Sequence, residues 1–232
     1  MTQVPCWICG DPATTAEHKT KKSDLKSAFG KPTQKSPIFY HDAKARNQRI
    51  NTLDAKLVKS TSLLCEQCNT TRTQPFDRAW EQMSEHLRFY QPNIATSAVV
   101  RANRVFRYGT RRSMLHVHLY FVKLFGCHIK EHNMAIALAP FASAILSRKA
   151  HPNVYIKIGR APTLDGLPMT GTSDAWLAMR KDDQVCRFAT WFYYIEELGV
   201  NVMYAIPGEK RDGLIGAWHP RFGTNRLHVG DF

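Results

Sequence analysis

The sequence predicts an α+β protein in two parts. A cysteine-framed unit spans residues 1–92, and an α+β unit built on an antiparallel meander spans 93–232. Three observations carry this reading. Two Cys-x2-Cys pairs, Cys6/Cys9 and Cys65/Cys68, are separated by 55 residues. Apolar residues take up a helical period from Gln74. Beyond Pro92, helical patterns come first and strand patterns later.

Between the cysteine pairs, residues 19–50 hold nine Lys or Arg against two acids, Asp24 and Asp42, together with Gly30, Pro32 and Pro37. This stretch reads as mostly loop, with one helical turn at SDLKSAF that Ser23 could cap. LVKSTSLLC is β-branched enough for a short strand. Phe76, Trp80, Met83 and Leu87 recur at four, three and four, one face of a helix over 73–91. Pro75 suits its first turn, and Pro92 ends it. SAVVRANRVFRY and SMLHVHLYFVKLF read as helices, as does NMAIALAPFASAILSRK with a kink or break at Pro140. NVYIKIG, AWLAMRKDDQVCRFATWFYYI and GVNVMYAIP are strand-rich, with turns at KDDQ and ELG.

Apolar residues make up 44% of the chain and aromatics 11%, enough for a sizeable core and against global disorder. The formal charge of +13 favours a polyanionic partner, nucleic acid or an anionic membrane surface. The opening MTQVPCWICGDP has no basic segment followed by an apolar run, so no signal peptide is expected. No stretch approaches the ~18 apolar residues of a spanning helix, so no membrane partner and a cytoplasmic location are expected.

Paired cysteines in such a chain point to metal rather than disulfides. Two knuckles complete a tetrahedral S4 set, which suits zinc and leaves no open position for catalysis. The long interval costs only about 1 kcal/mol of extra loop closure, against ~10–16 kcal/mol from structural zinc in small peptides. A redox dithiol would want a βαβ context, which neither pair has. Cys127 and Cys186 read as buried small hydrophobes.

A metal frame would bring together the two ends of the interval, with Glu17 and His18 at its start and Asn69 directly after Cys68. Carboxylate and amide oxygens suit a hard ion such as Mg²⁺. A neighbouring imidazole can take a proton from water near neutral pH. Arg101, Arg104, Arg107 and Arg111 would form one cationic stripe if helical, either a DNA-backbone contact or a solvated face.

The pattern CWIC…TTAEH…LLCEQCN resembles HNH endonucleases of the subgroup whose ββα-metal motif is clamped by four cysteines, over roughly residues 6–88. The resemblance implies structural zinc on Cys6, Cys9, Cys65 and Cys68. It implies His18 as general base, with Glu17 and Asn69 as ligands of a catalytic Mg or Mn ion. The helix over 73–91 would be the α of ββα. Lys19, Lys21, Lys22 and Arg72, with Arg101 and Arg104, would contact nucleic acid. The activity implied is hydrolysis of DNA phosphodiester bonds, in a restriction or phage-defence setting. The family usually has a middle Asn about nine residues before the final ligand. Ser60 stands there, so a serine or a backbone carbonyl would have to orient the base. The alternatives are a catalytically inactive zinc-stabilised nucleic-acid-binding module and an interaction protein with an acidic partner. For the second part, target choice, dimerisation with a partner protein, and sensing of an activating ligand all stay open.

Overall fold

A computed structural model describes residues 4–42, 46–90, 99–161, 169–182, 184–223 and 225–231. Helix and sheet are both abundant, so the chain is α+β as expected. Strand β1 (Thr15–His18) pairs antiparallel with β4 (Lys59–Leu64). Helix α1 (Lys22–Phe29) and the hairpin β2 (Ile38–Tyr40)–β3 (Gln48–Ile50) lie between them in sequence. The basic interval is therefore more structured than expected. Leu25, Ile50, Leu53 and Val58 form a small separate core beneath it, and this apolar contact is what orders a stretch whose composition reads as loop. Ser23 lies inside α1 and makes no cap.

After β4, a π-turn at Cys68–Arg72 leads into helix α2 (Gln74–Tyr90). Phe76, Trp80, Met83 and Leu87 are all buried, as their spacing predicts. They face helix α4 (Thr110–Glu131), most of whose residues are buried. α4 is packed by α2 on one side and by the large sheet on another, so it lacks a polar face of ordinary width.

The stretch expected to be one helix over 97–108 is instead strand β5 (Val99–Arg101) followed by the short helix α3 (Ala102–Val105); 97–98 lie outside the described residues. β5 pairs with the last strand, β11 (Arg226–Asp231). That pairing across most of the chain overrides local helix propensity. Helix α5 runs only over Ala139–Ser147, with Pro140 in its first turn rather than at a kink. A proline N–H is not needed there.

The main sheet has the order β5-β11-β6-β10-β9-β7, with β8 also on β9. Its other members are β6 (Val154–Arg160), β7 (Met169–Thr172), β8 (Trp176–Met179), β9 (Cys186–Glu196) and β10 (Leu198–Ala205). β8, β9 and β10 run as a meander, but β6 sits beyond β10 and β11 adds parallel to β6. The expected simple meander therefore holds only in part. Among the described residues no helix is long and apolar enough to cross a membrane.

The expected boundary at residue 92 is a boundary in sequence, while one buried cluster runs from Cys6 through Trp80 and Phe121 to Val229. The two sides are also joined by hydrogen bonds. The carboxylate of Asp24 on α1 is buried and accepts from Tyr193 Oη on β9 at 2.7 Å and from Trp80 Nε1 at 3.0 Å. Tyr193 Oη in turn accepts the Lys21 N–H at 2.9 Å. Cys127 and Cys186 are buried, as expected.

Four histidines sit in this core or against it. His118 Nε2 accepts the His151 N–H at 3.1 Å, and His219 Nε2 donates to the His151 carbonyl at 2.9 Å. Burial pulls His118 well below its ordinary range and lowers His128 and His151 to about 4. The unfolded chain takes up these protons near pH 6.5, whereas in the folded chain His128 and His151 resist until about 4 and His118 is held neutral in the same direction. Stability is therefore full above pH ~6.5 and falls as pH drops through this window, by about 2 kcal/mol per fully buried ring at pH 5. The melting temperature is expected to drop steeply between roughly pH 6.5 and 4.5. A flat profile there would show that these rings are not held neutral.

Candidate functional site

The four thiols of Cys6, Cys9, Cys65 and Cys68 converge, with every pair of sulfur atoms within 4.8 Å. In the first knuckle the Gly10 N–H donates to the Cys6 carbonyl at 2.8 Å, and Gly10 takes φ +85°, which glycine adopts without strain. In the second the Asn69 N–H donates to the Cys65 carbonyl at 3.0 Å. Both fold CxxC into a tight turn that aims two sulfurs at one point, so the set has the size and chemistry of a tetrahedral metal centre. Trp7, between the first two cysteines, lies on α4 at Gly126, where an added Cβ would stand 2.4 Å from the indole. The knot is therefore seated on the central helix, and only glycine permits that approach.

Directly beside the knot is a cleft of about 220 Å³, lined by Ala16, Glu17, His18, Lys21, Lys22, Asn69 and Asp77. Glu17, His18 and Asn69 thus share one cavity. β1 and β4 bring this about, because their register slips between Ala16 and His18: Ala16 pairs with Leu63 but His18 with Lys59. Such an irregularity re-aims side chains at a strand end.

His18 Nε2 donates to the Leu53 carbonyl at 3.0 Å, which leaves Nδ1 with its lone pair. Burial lowers the pKa of His18, so the ring is neutral at pH 7. Ser60 does not orient it. The Ser60 hydroxyl donates to Glu131 at 2.8 Å, and the backbone carbonyl of Leu53 has the orienting place.

Asn69 Oδ1 is buried and has no hydrogen-bond partner among the described residues. The amide is therefore not spent on a helix cap, the ordinary use of an Asn in this position.

Glu17 is more engaged than the sequence indicated. Lys123 of α4, fully buried, places its Nζ 3.0 Å from Glu17 Oε2 and 3.0 Å from Asp77 Oδ1. Burial alone would strip the ammonium of its proton, but the two carboxylates outweigh it and keep Lys123 charged. Burial also raises Glu17, against the pull of Lys123. Neither Lys123 nor Asp77 was among the expected site residues. Lys123 did leave a trace, as the one lysine in the apolar run SMLHVHLYFVKLF.

The basic residues divide. Lys19 pairs with Glu131 at 3.2 Å, and Lys22 bonds the Asp54 carboxylate. Lys21 lies on the cleft wall, 4.0 Å from Glu81. The Arg72 Nη1 donates to Cys68 Sγ at 2.7 Å, where a cation would offset thiolate charge once the cluster holds a metal. Arg101 and Arg104 are exposed, on β5 and α3, so the expected stripe is split over several elements. Compared with protein-family models, curated proteins and solved structures, the chain matches none.

Proposed function

We propose that this protein is a metal-dependent endonuclease that hydrolyses DNA phosphodiester bonds, with a structural zinc on Cys6, Cys9, Cys65 and Cys68. The observation that carries the reading is the cleft itself. It joins a neutral imidazole with a free Nδ1, a buried amide oxygen without a partner and a carboxylate, all beside a four-thiol cluster. His18 takes a proton from the attacking water at Nδ1. The Leu53 carbonyl holds the ring and keeps the proton on Nε2. Asn69 Oδ1 and Glu17 offer hard oxygen ligands that fit Mg²⁺ or Mn²⁺. Such an ion would stabilise charge on the phosphoryl and leaving oxygens. Lys21 on the cleft wall, and the chain's +13 charge, favour a polyanionic substrate. The resemblance to the HNH family supports the same assignment and is the ground for proposing a restriction or phage-defence setting.

The test is supercoiled plasmid with Mg²⁺ or Mn²⁺, with and without EDTA, beside DNA binding at rising salt. Cleavage that EDTA abolishes, with affinity falling steeply between roughly 50 and 300 mM salt, is the expected result. Salt-indifferent binding would remove DNA as the partner.

The Lys123 contact favours a second reading. A fixed ammonium already satisfies Glu17 and Asp77, so the chain could be a zinc-stabilised nucleic-acid-binding module that cuts nothing. Tight, salt-dependent DNA binding without cleavage under any divalent ion would select it.

A further inference from the structure

Far along the chain from the cleft, the end of the main sheet carries a second cavity of about 420 Å³. Trp218, Phe222, Gly223, Arg226 and His228 are among its lining residues, and no aspartate or glutamate is. The volume is that of a small-molecule site. Its walls are built in different ways. Trp218 is fixed, with its N–H and carbonyl exchanging hydrogen bonds with Ile156 at 2.6 and 2.9 Å and its indole donating to the Gly223 carbonyl at 2.8 Å. Phe222 is 68% exposed, a large aromatic left facing solvent. The Arg221 guanidinium lies over its ring at 4.7 Å and also over Tyr155 at 5.4 Å, which holds the segment in place.

The opposite wall is cationic. On β11, Leu227 and Val229 point into the core, so the alternate residues Arg226 and His228 face outward. Arg226 is paired in register with Arg101 on β5. Both are exposed, and neither has an acidic partner among the described residues. Like charges set directly opposite on paired strands repel, so this arrangement is destabilising unless an anion sits between them. An exposed aromatic and Arg226 on one acid-free cavity, with Arg101 opposite Arg226 on the neighbouring strand, suit a ligand with a planar ring and a negative charge.

We propose that this cavity binds a nucleoside phosphate, with its base stacked on Phe222 and its phosphate held by Arg226, His228 and the adjacent Arg101. Stacking on an aromatic face is tolerant of base identity, while the arginines take phosphate oxygens in bidentate fashion. The site gives residues 93–232 a recognition role and does not depend on whether the cleft cuts DNA. The same chemistry is met by a free nucleotide or by one nucleotide of a single strand, and the experiment separates them.

Calorimetric titration of the full chain without added Mg²⁺ or Mn²⁺ and without chelator, so that no cleavage intervenes and the four-cysteine cluster is left undisturbed, would use nucleoside 5′-monophosphates, inorganic phosphate and an oligothymidylate of about six nucleotides. Nucleotides are expected to bind about tenfold or more tightly than inorganic phosphate. Phe222→Ala is expected to erase that advantage while phosphate binding stays unchanged. Arg226→Gln is expected to weaken every probe. Both side chains are exposed, so the melting temperature should hold; if Phe222→Ala misfolds, Phe222→Leu keeps apolar bulk while removing the ring. Binding of monophosphates as tight as that of the oligonucleotide assigns a free nucleotide. Binding of the oligonucleotide alone, with the same sensitivity to both variants, assigns a strand. The proposal is overturned if phosphate binds as well as nucleotides, if both variants keep wild-type affinity, or if no probe binds at millimolar concentration.

Discussion

Replacing Cys65 with alanine is expected to remove the bound metal and to lower the melting temperature by more than about 10 °C. The size follows from what the cluster holds. Cys6 and Cys9 belong to a short N-terminal segment whose other ties to the rest of the chain are the Thr14 N–H to the Leu64 carbonyl at 3.0 Å, Ile8 and Ala13 in the shared core, and the Trp7 ring on Gly126. Cys65 and Cys68 end β4 and begin the turn into α2. A tetrahedral ion on the four thiols would join these two parts across 55 residues, and structural zinc contributes about 10–16 kcal/mol in small peptides. A whole domain is stable by only ~5–15 kcal/mol. Even partial loss is therefore severe, and the surviving core of α4 and the main sheet would set the residual stability. Elemental analysis of protein purified without added metal should give about one zinc per chain, and none for Cys65→Ala. Wild-type protein with no zinc, and four thiols that react freely while the chain is folded, would refute the shared centre.

Several of these elements could be read from the sequence because their causes are local. The face of Phe76, Trp80, Met83 and Leu87 follows from a 3.6-residue period, and the two knuckles from Cys-x2-Cys spacing. The convergence of Glu17, His18 and Asn69 was legible for a related reason: each lies a short step from a cysteine, so closing the knot carries them along. The remainder depends on distant partners. Lys123 meets Glu17 and Asp77 from the middle of α4, and nothing near any of the three announces the others. Arg101 looked like the first residue of a helical stripe, yet it sits on a strand because β11 pairs with β5. Lys19 and Arg72 read as phosphate contacts because they flank the motif, and nothing near them announces the partners they have in the fold, Glu131 and Cys68. Positive charge is visible in a sequence, whereas the acid or thiolate that neutralises it is visible only once the chain has folded.

His18→Ala is expected to lower DNA cleavage by ~10²–10⁴ while metal content, melting temperature and DNA binding stay close to wild type. Within the cleft, His18 is the group suited to accept a proton near pH 7. Lys21 and Lys22 are cations, Asn69 does not titrate there, and Glu17 is bound to Lys123. The pH profile carries the sign. Burial lowers the pKa of His18, so the neutral base persists below pH 6.5 and activity should fall only as pH drops through that lowered value. Asn69→Ala supplies the complementary signature. Its Oδ1 is buried without a partner in the folded chain, and such an atom costs about 1–3 kcal/mol. Removing it should leave stability unchanged or raised while cleavage falls, with partial recovery at high Mg²⁺ or Mn²⁺ if the amide holds the ion. A residue kept for folding would behave in the opposite way. His132→Ala, at an exposed histidine just past the end of α4 that does not line the cleft, is the control and should cut normally. Equal activity in wild type and His18→Ala, or an Asn69→Ala chain that loses stability and activity together, would move the cleft from catalysis to scaffold.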